Sequence, residues 1–196
     1  MSKIILITAQ KGGVGKSTLT FNLAQNIAAN AKVAVLDFDL QGSLSQLKDM
    51  VTDFEIIPYQ NKIEHIADLD FDFIFIDTPP YLSNQLPQLI SIANLIIVPT
   101  KVGVLDLLSF KATLSVLQEA QKVDDTLVVF NMVKLNTTLT LDILIGLEEY
   151  NVRIASAHIS DLVSFTRSVL FSGVRQDRNA QRQIDELTKE ILLKLI

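Results

Sequence analysis

The sequence predicts an α/β fold, with a twisted and mainly parallel β-sheet flanked by helices on both faces. Three observations carry that expectation. Strand-like and helix-like segments alternate along the whole 196-residue chain, the order in which helical crossovers build a parallel sheet. The strand-like segments are nearly continuous in apolar residues, as strands covered on both faces must be. With 48% hydrophobic and 20% charged residues, the chain has enough apolar surface for a packed core and too little charge for a disordered one.

Each element follows in order. Residues 3–9 form a short β-branched run that meets glycines, and 16–30 follow with Leu19, Leu23 and Ile27 at helical spacing. Residues 32–38, 71–77, 95–99 and 126–131 repeat the apolar strand pattern, and 152–156 is a weaker version of it. Helical patterns return at 105–123 and 139–150, and helices over 160–170 and 180–196 close the chain. No repeat, low-complexity tract or linker interrupts this alternation, so residues 1–196 are expected to form a single domain.

Composition removes several function classes. The absence of cysteine excludes disulfides, zinc–thiolate centres and cysteine-held iron–sulfur clusters. His65 and His158 share no metal-ligand spacing. No apolar run approaches the roughly 18 residues that span a bilayer, and the apolar stretch over 4–7 is too short for a signal peptide. A cytoplasmic chain is expected. Its net charge of −5 opposes a nucleic-acid partner, but all five arginines lie in the last 44 residues, while 37–77 hold ten acids against two lysines. Such asymmetry can mark a binding surface at one end.

The decisive segment is Gln10-Lys11-Gly12-Gly13-Val14-Gly15-Lys16-Ser17-Thr18, between the first strand and the first helix. That is the context a phosphate-binding loop requires. Glycines let the backbone curl until successive N–H groups face a phosphate, and the helix N-terminus adds the positive end of its dipole. Lys16 then reaches the β- and γ-phosphates, and the Ser17 hydroxyl is a ligand for Mg²⁺. The general pattern opens on glycine. Here Gln10 takes that place, followed by a second lysine, Lys11.

Lys-Gly-Gly-Val-Gly-Lys-Ser-Thr resembles the deviant Walker A motif of the ParA/MinD family of ATPases, which have a P-loop NTPase-like fold. The resemblance implies ATP and Mg²⁺ as cofactors, ATP hydrolysis, and an ATP-dependent sandwich dimer in which Lys11 reaches the phosphates of the partner subunit. Val35-Leu36-Asp37-Phe38-Asp39-Leu40-Gln41-Gly42-Ser43 is similar to the family's switch I, with Leu40 in place of the usual proline. By that match Asp39 positions the attacking water and Asp37 supports the metal shell. Phe73-Ile74-Phe75-Ile76-Asp77-Thr78-Pro79-Pro80 resembles the Walker B strand, with Asp77 holding Mg²⁺ through water. Residues 97–100 and Leu105-Asp106-Leu107 resemble the next strand and helix start, and Asn131 ends the strand from which the family commonly reads adenine.

Only ten residues precede Lys11, which leaves no room for a helix-turn-helix domain and matches the short ParA type. That branch partitions plasmids or chromosomes with a small centromere-binding, ParB-like protein, whose binding stimulates hydrolysis. Residues 159–168 and 171–173 resemble the region after the last strand in short ParA proteins. Arg167, Arg175, Arg178 and Arg182 then supply cations without interleaved aromatics, a composition that suits phosphate contact rather than base reading. The resemblance implies non-specific DNA binding by the ATP-bound dimer, and with it a nucleoid-associated location. Two other readings stay open: a small-molecule ligase of the same superfamily, similar to dethiobiotin synthetase, and a MinD-like ATPase positioned at a membrane or on another cargo. Against lipid, the helical stripe Ile184, Leu187, Ile191 and Leu195 carries Asp185, Glu186 and Glu190 against Lys189 and Lys194, where a membrane helix wants basic residues.

Overall fold

The computed structural model describes residues 2–39, 44–59, 62–81, 83–134, 147 and 150–195. The strands are β1 (Lys3–Ile7), β2 (Val33–Asp37), β3 (Glu55–Pro58), β4 (Phe73–Asp77), β5 (Leu95–Thr100), β6 (Thr126–Phe130) and β7 (Arg153–Ile154). They form one sheet in the order β3-β2-β4-β1-β5-β6-β7. Every pairing is parallel. The helices are α1 (Lys16–Ile27), α2 (Leu86–Ile92), α3 (Val104–Glu119), α4 (Val163–Thr166) and α5 (Arg178–Leu195).

Alternation along each strand divides the core in two. Ile5, Ile7, Phe75, Ile97 and Val129 face α1 and α5, while Ile4, Leu6, Ile76, Val98 and Val128 face α2 and α3. Successive strand side chains point to opposite faces, so a strand apolar at every position feeds both cores. The sequence shows no other pattern in these strands for that reason. On α5, Ile184, Leu187 and Ile191 are buried in the first core together with Leu195. The stripe weighed above as a membrane face is therefore occupied by the protein interior.

The structure departs from the expected elements in a few places. Strand β3 and helix α2 were not anticipated. β3 is an edge strand with only Ile56 and Ile57 as apolar residues, and α2 is seven residues long with a proline in its first turn. The expected helix over 160–170 is broken: Ser160 instead bridges to Val133, α4 covers one turn, and a 3-10 turn follows over Ser168–Phe171. The expected helix over 139–150 falls outside the described residues except at 147 and 150, as do Leu40, Gln41, Gly42 and Ser43 of the switch-like segment.

Candidate functional site

β1 lies between β4 and β5, where the winding of the sheet changes direction. The crevice beyond the carboxyl ends of strands at such a point is where open α/β sheets place ligands. The loop leaving β1 enters that crevice. Gly13 and Gly15 have φ of +69° and +84°, a region that glycine alone enters without strain. A Cβ on Gly13 would meet nothing within 4 Å, so the loop frames open space, whereas one on Gly15 would collide with the Asn131 amide. Residue 13 needs glycine for its backbone, and residue 15 needs it also for close packing.

Below the loop, Lys16 and Asp77 are buried at 7% and 0% exposure. The Ser17 hydroxyl donates to Asp77 Oδ2 at 2.5 Å, and Thr20 Oγ1 donates to the Lys16 carbonyl at 2.9 Å and approaches Asp77 Oδ1 at 3.3 Å. Burial pushes the Asp77 carboxyl up to about 7, opposed by the Ser17 hydrogen bond and by Lys16, and reinforced by the nearby Asp37 carboxylate. Burial also lowers the Lys16 ammonium, against the pull of Asp77 and Asp39. A serine hydroxyl touching a desolvated carboxylate is an oxygen donor pair suited to a hard divalent cation. Among the described residues no group of three or more His, Asp or Glu could hold a metal unaided. A Mg²⁺ here would share Ser17 and Asp77 with nucleotide phosphates, so the residues fit a Mg²⁺–nucleotide.

Asp37 sits level with Asp77 on the adjacent strand but faces other partners. Its carboxylate accepts from Asp39 N–H at 3.0 Å, from Ser45 N–H at 2.8 Å and from the Ser45 hydroxyl at 2.7 Å. Those bonds clamp the two ends of the 39–45 segment together. Asp39 is half-buried at the near end of that segment, close enough to Lys16 for its carboxylate to oppose the lowering of the lysine by burial.

Lys11 lies on the outer rim. Its Nζ donates to Asp106 Oδ1 at 2.6 Å, in the first turn of α3. Asn131 braces the loop from behind: Nδ2 donates to the Val14 carbonyl at 2.8 Å, and Oδ1 accepts from Met132 N–H at 3.0 Å. A cleft of about 230 Å³ opens beside it, lined by Gly15, Thr18, Asn131, Met132, Asp161 and Phe165 among others. Lys11, Lys16, Ser17, Asp37, Asp39, Asp77 and Asn131 thus converge on one edge of the sheet. Asp106, Thr20 and Ser45 join them without having been anticipated. Thr20 carried a sequence signal, one helical turn beyond Lys16 and Ser17, and Asp106 stood in the segment that resembles a helix start, with no role assigned to it.

The four candidate arginines lie apart, on the segment from α4 into α5, and all are exposed. Arg182 Nη2 donates to Asn179 Oδ1 at 3.0 Å, and its Nε lies 4.0 Å from Glu186. Among the described residues, Arg167, Arg175 and Arg178 make no ion pair. The acids nearest in sequence are engaged elsewhere. Asp177 caps α5 by accepting from the Asn179 and Ala180 N–H groups, and also accepts from the Ser164 hydroxyl at 2.7 Å. Asp185 accepts from Gln181 Nε2. No helix of the described residues is long and apolar enough to cross a membrane.

Comparison with known proteins gives the family and the fold. A family model described as the CobQ/CobB/MinD/ParA nucleotide binding domain matches residues 5–190. The maintenance of carboxysome distribution protein A of Halothiobacillus neapolitanus is 22% identical over 200 residues, covering 93% of each chain. A plasmid partition protein from Borrelia burgdorferi B31 bound to AMPPNP superposes with a TM-score of 0.77 at 22% identity, over 100% of both chains. The apo McdA structure from Cyanothece superposes with a TM-score of 0.79 at 20% identity, over 98% of this chain and 100% of that one.

Proposed function

The chain belongs to the CobQ/CobB/MinD/ParA nucleotide-binding family, whose ParA/MinD-type members are P-loop ATPases, and from that premise we propose what this member does. It is a Mg²⁺-dependent ATPase of one domain. Its ATP-bound form is a homodimer that holds DNA without sequence preference and is reset by a small partner protein bringing the cargo. A ParB-like protein fills that role if the cargo is a plasmid. The observation that supports the reading best is the Ser17 hydroxyl on the buried Asp77 carboxylate, beside Lys16 and beneath a loop that frames open space.

The residues divide the work. N–H groups of residues 12–18 and the Lys16 ammonium hold the phosphates. Ser17 and Asp77 would hold Mg²⁺, which would supply positive charge to offset that of the phosphates. Asp39 orients the attacking water, and Asp37 holds the segment that carries Asp39 through its bonds to Asp39 and Ser45. The base enters the cleft beside Asn131, which keeps one amide N–H after bracing the loop. Lys11 serves the partner's phosphates, and to do so it must exchange the Asp106 carboxylate for them.

Phosphate release from ATP, compared between the wild type and Asp39→Ala, tests this reading. Removing a water-orienting group costs transition-state stabilisation and spares phosphate binding. The variant should therefore bind Mg²⁺–ATP, dimerise and turn over poorly. A wild type that stays monomeric and hydrolyses ATP only when a small carboxylate substrate is added would overturn the reading in favour of a ligase.

A further inference from the structure

Three apolar side chains of the segment 163–171 face solvent. Val163, Leu170 and Phe171 are 64%, 69% and 50% exposed. Arg167 N–H bonds to the Val163 carbonyl at 3.1 Å and Leu170 N–H to the Arg167 carbonyl at 3.0 Å, so the α4 turn passes directly into the 3-10 turn. Val163, Arg167, Leu170 and Phe171 are all exposed and form the solvent side of these two turns. The opposite face holds Phe165 and Ser168, both buried. That orientation is pinned: Asn22 Nδ2 on α1 donates to the Ser168 hydroxyl at 3.0 Å, which itself donates to the Phe165 carbonyl at 2.9 Å. Ser172 and Gly173, with φ of +50° and +105°, then end the turn, and Gly173 N–H bonds back to the Ser168 carbonyl; Arg175 and Arg178 follow.

We propose that this ridge enters the minor groove of DNA and packs Leu170 and Phe171 against base faces at a partly unstacked step. The proposal rests on the DNA reading above and adds to it a contact that is not made with phosphate. Apolar wedges flanked by cations are the means by which minor-groove binders unstack a base step while holding both backbones. The charge fits: Arg167, Arg175 and Arg178 have no ion pair among the described residues, and Asp177 is spent on its cap. The size fits as well. Three side chains make a wedge, far short of the roughly 800 Å² per partner of a stable protein interface.

The two contact types separate in a salt titration, because an apolar contact releases no counterions. DNA affinity of the full chain, with a non-hydrolysable ATP analogue, is measured against salt on a duplex containing 2-aminopurine. Relative to wild type, L170A/F171A should bind about 10-fold more weakly at every salt concentration, on a parallel line. It should also lose the fluorescence rise that reports unstacking. Phe171→Trp should restore both, and Arg175→Ala should flatten the line instead. Analogue-driven dimerisation, measured in each variant, reports folding. A double variant that dimerises, binds like wild type and unstacks the probe equally would overturn the proposal. So would loss of binding to phosphatidylglycerol vesicles with DNA binding unchanged, which would assign the ridge to lipid. A wild type that ignores DNA altogether would instead overturn the underlying DNA reading.

Discussion

Asp77 has no exposed surface, and burial drives its pKa up to about 7, with the Ser17 hydrogen bond and Lys16 only partly offsetting this. A carboxyl raised from its ordinary 3.8 binds its proton more tightly in the folded chain than in the unfolded one. Its contribution to stability is therefore complete below about pH 4 and is lost as pH rises through about 7. Thermal melts of the ligand-free protein should fall between pH 5 and 8 by this route. Asp77→Asn should remove that slope, raise the melting temperature at pH 8, and abolish the stabilisation that Mg²⁺–ATP gives the wild type. Equal pH slopes in the two proteins would mean that Asp77 is already ionised. At the rim, Lys11 and Asp106 are 33% and 12% exposed, and breaking such a pair costs at most about 1 kcal/mol. Asp106→Asn should lower the ATP-analogue concentration for half-dimerisation about 2- to 5-fold by sedimentation, and Lys11→Ala should prevent dimerisation. An Asp106→Asn chain that dimerises less readily would show that the carboxylate guides Lys11 rather than restraining it.

Among the elements, the two ends of the segment after β2 are joined through Asp37, and Ser45 supplies two of the three bonds its carboxylate accepts among the described residues. Ser45→Ala removes the hydroxyl and keeps the N–H, so Asp39 should lose orientation while the phosphate loop is untouched. Turnover should drop several-fold with KM nearly constant; a raised KM with constant kcat would assign Ser45 to substrate binding. The same elements explain what the sequence disclosed. β1, β2, β4, β5 and β6 were legible because burial on both faces leaves unbroken apolar runs. The loop was legible because its glycines, Lys16 and Ser17 are consecutive and local backbone geometry dictates them. β3 was not, since an edge strand buries little, and α2 is too short to show a period. Asp106 was invisible as a partner because it stands 95 residues from Lys11, and only the fold of β5 into α3 brings the two together. Ser45 was missed because its tie to Asp37 depends on the path of the intervening loop, which no periodicity reports.

For the whole molecule, the acidic sum of −5 and a DNA partner are reconciled by where the charges lie and by dimerisation. If each subunit supplies about three phosphate contacts, a dimer neutralises about six and a monomer half as many. Counterion release then gives the dimer a log–log salt slope of roughly −5, and its affinity falls on the order of 10³-fold between about 50 and 200 mM salt. The monomer slope is half that, so dimerisation alone can switch binding on. Replacing Arg175, Arg178 and Arg182 together with Ala should flatten the slope and leave analogue-driven dimerisation intact, while an unaltered slope would put the DNA surface elsewhere. The most direct measurement of the central claim is a salt titration of the wild-type chain on two unrelated duplexes, once with ATP and once with ADP. The account predicts tight, salt-steep and equal binding to both duplexes with ATP, and almost none with ADP at physiological salt. Equal binding in the two nucleotide states would contradict it.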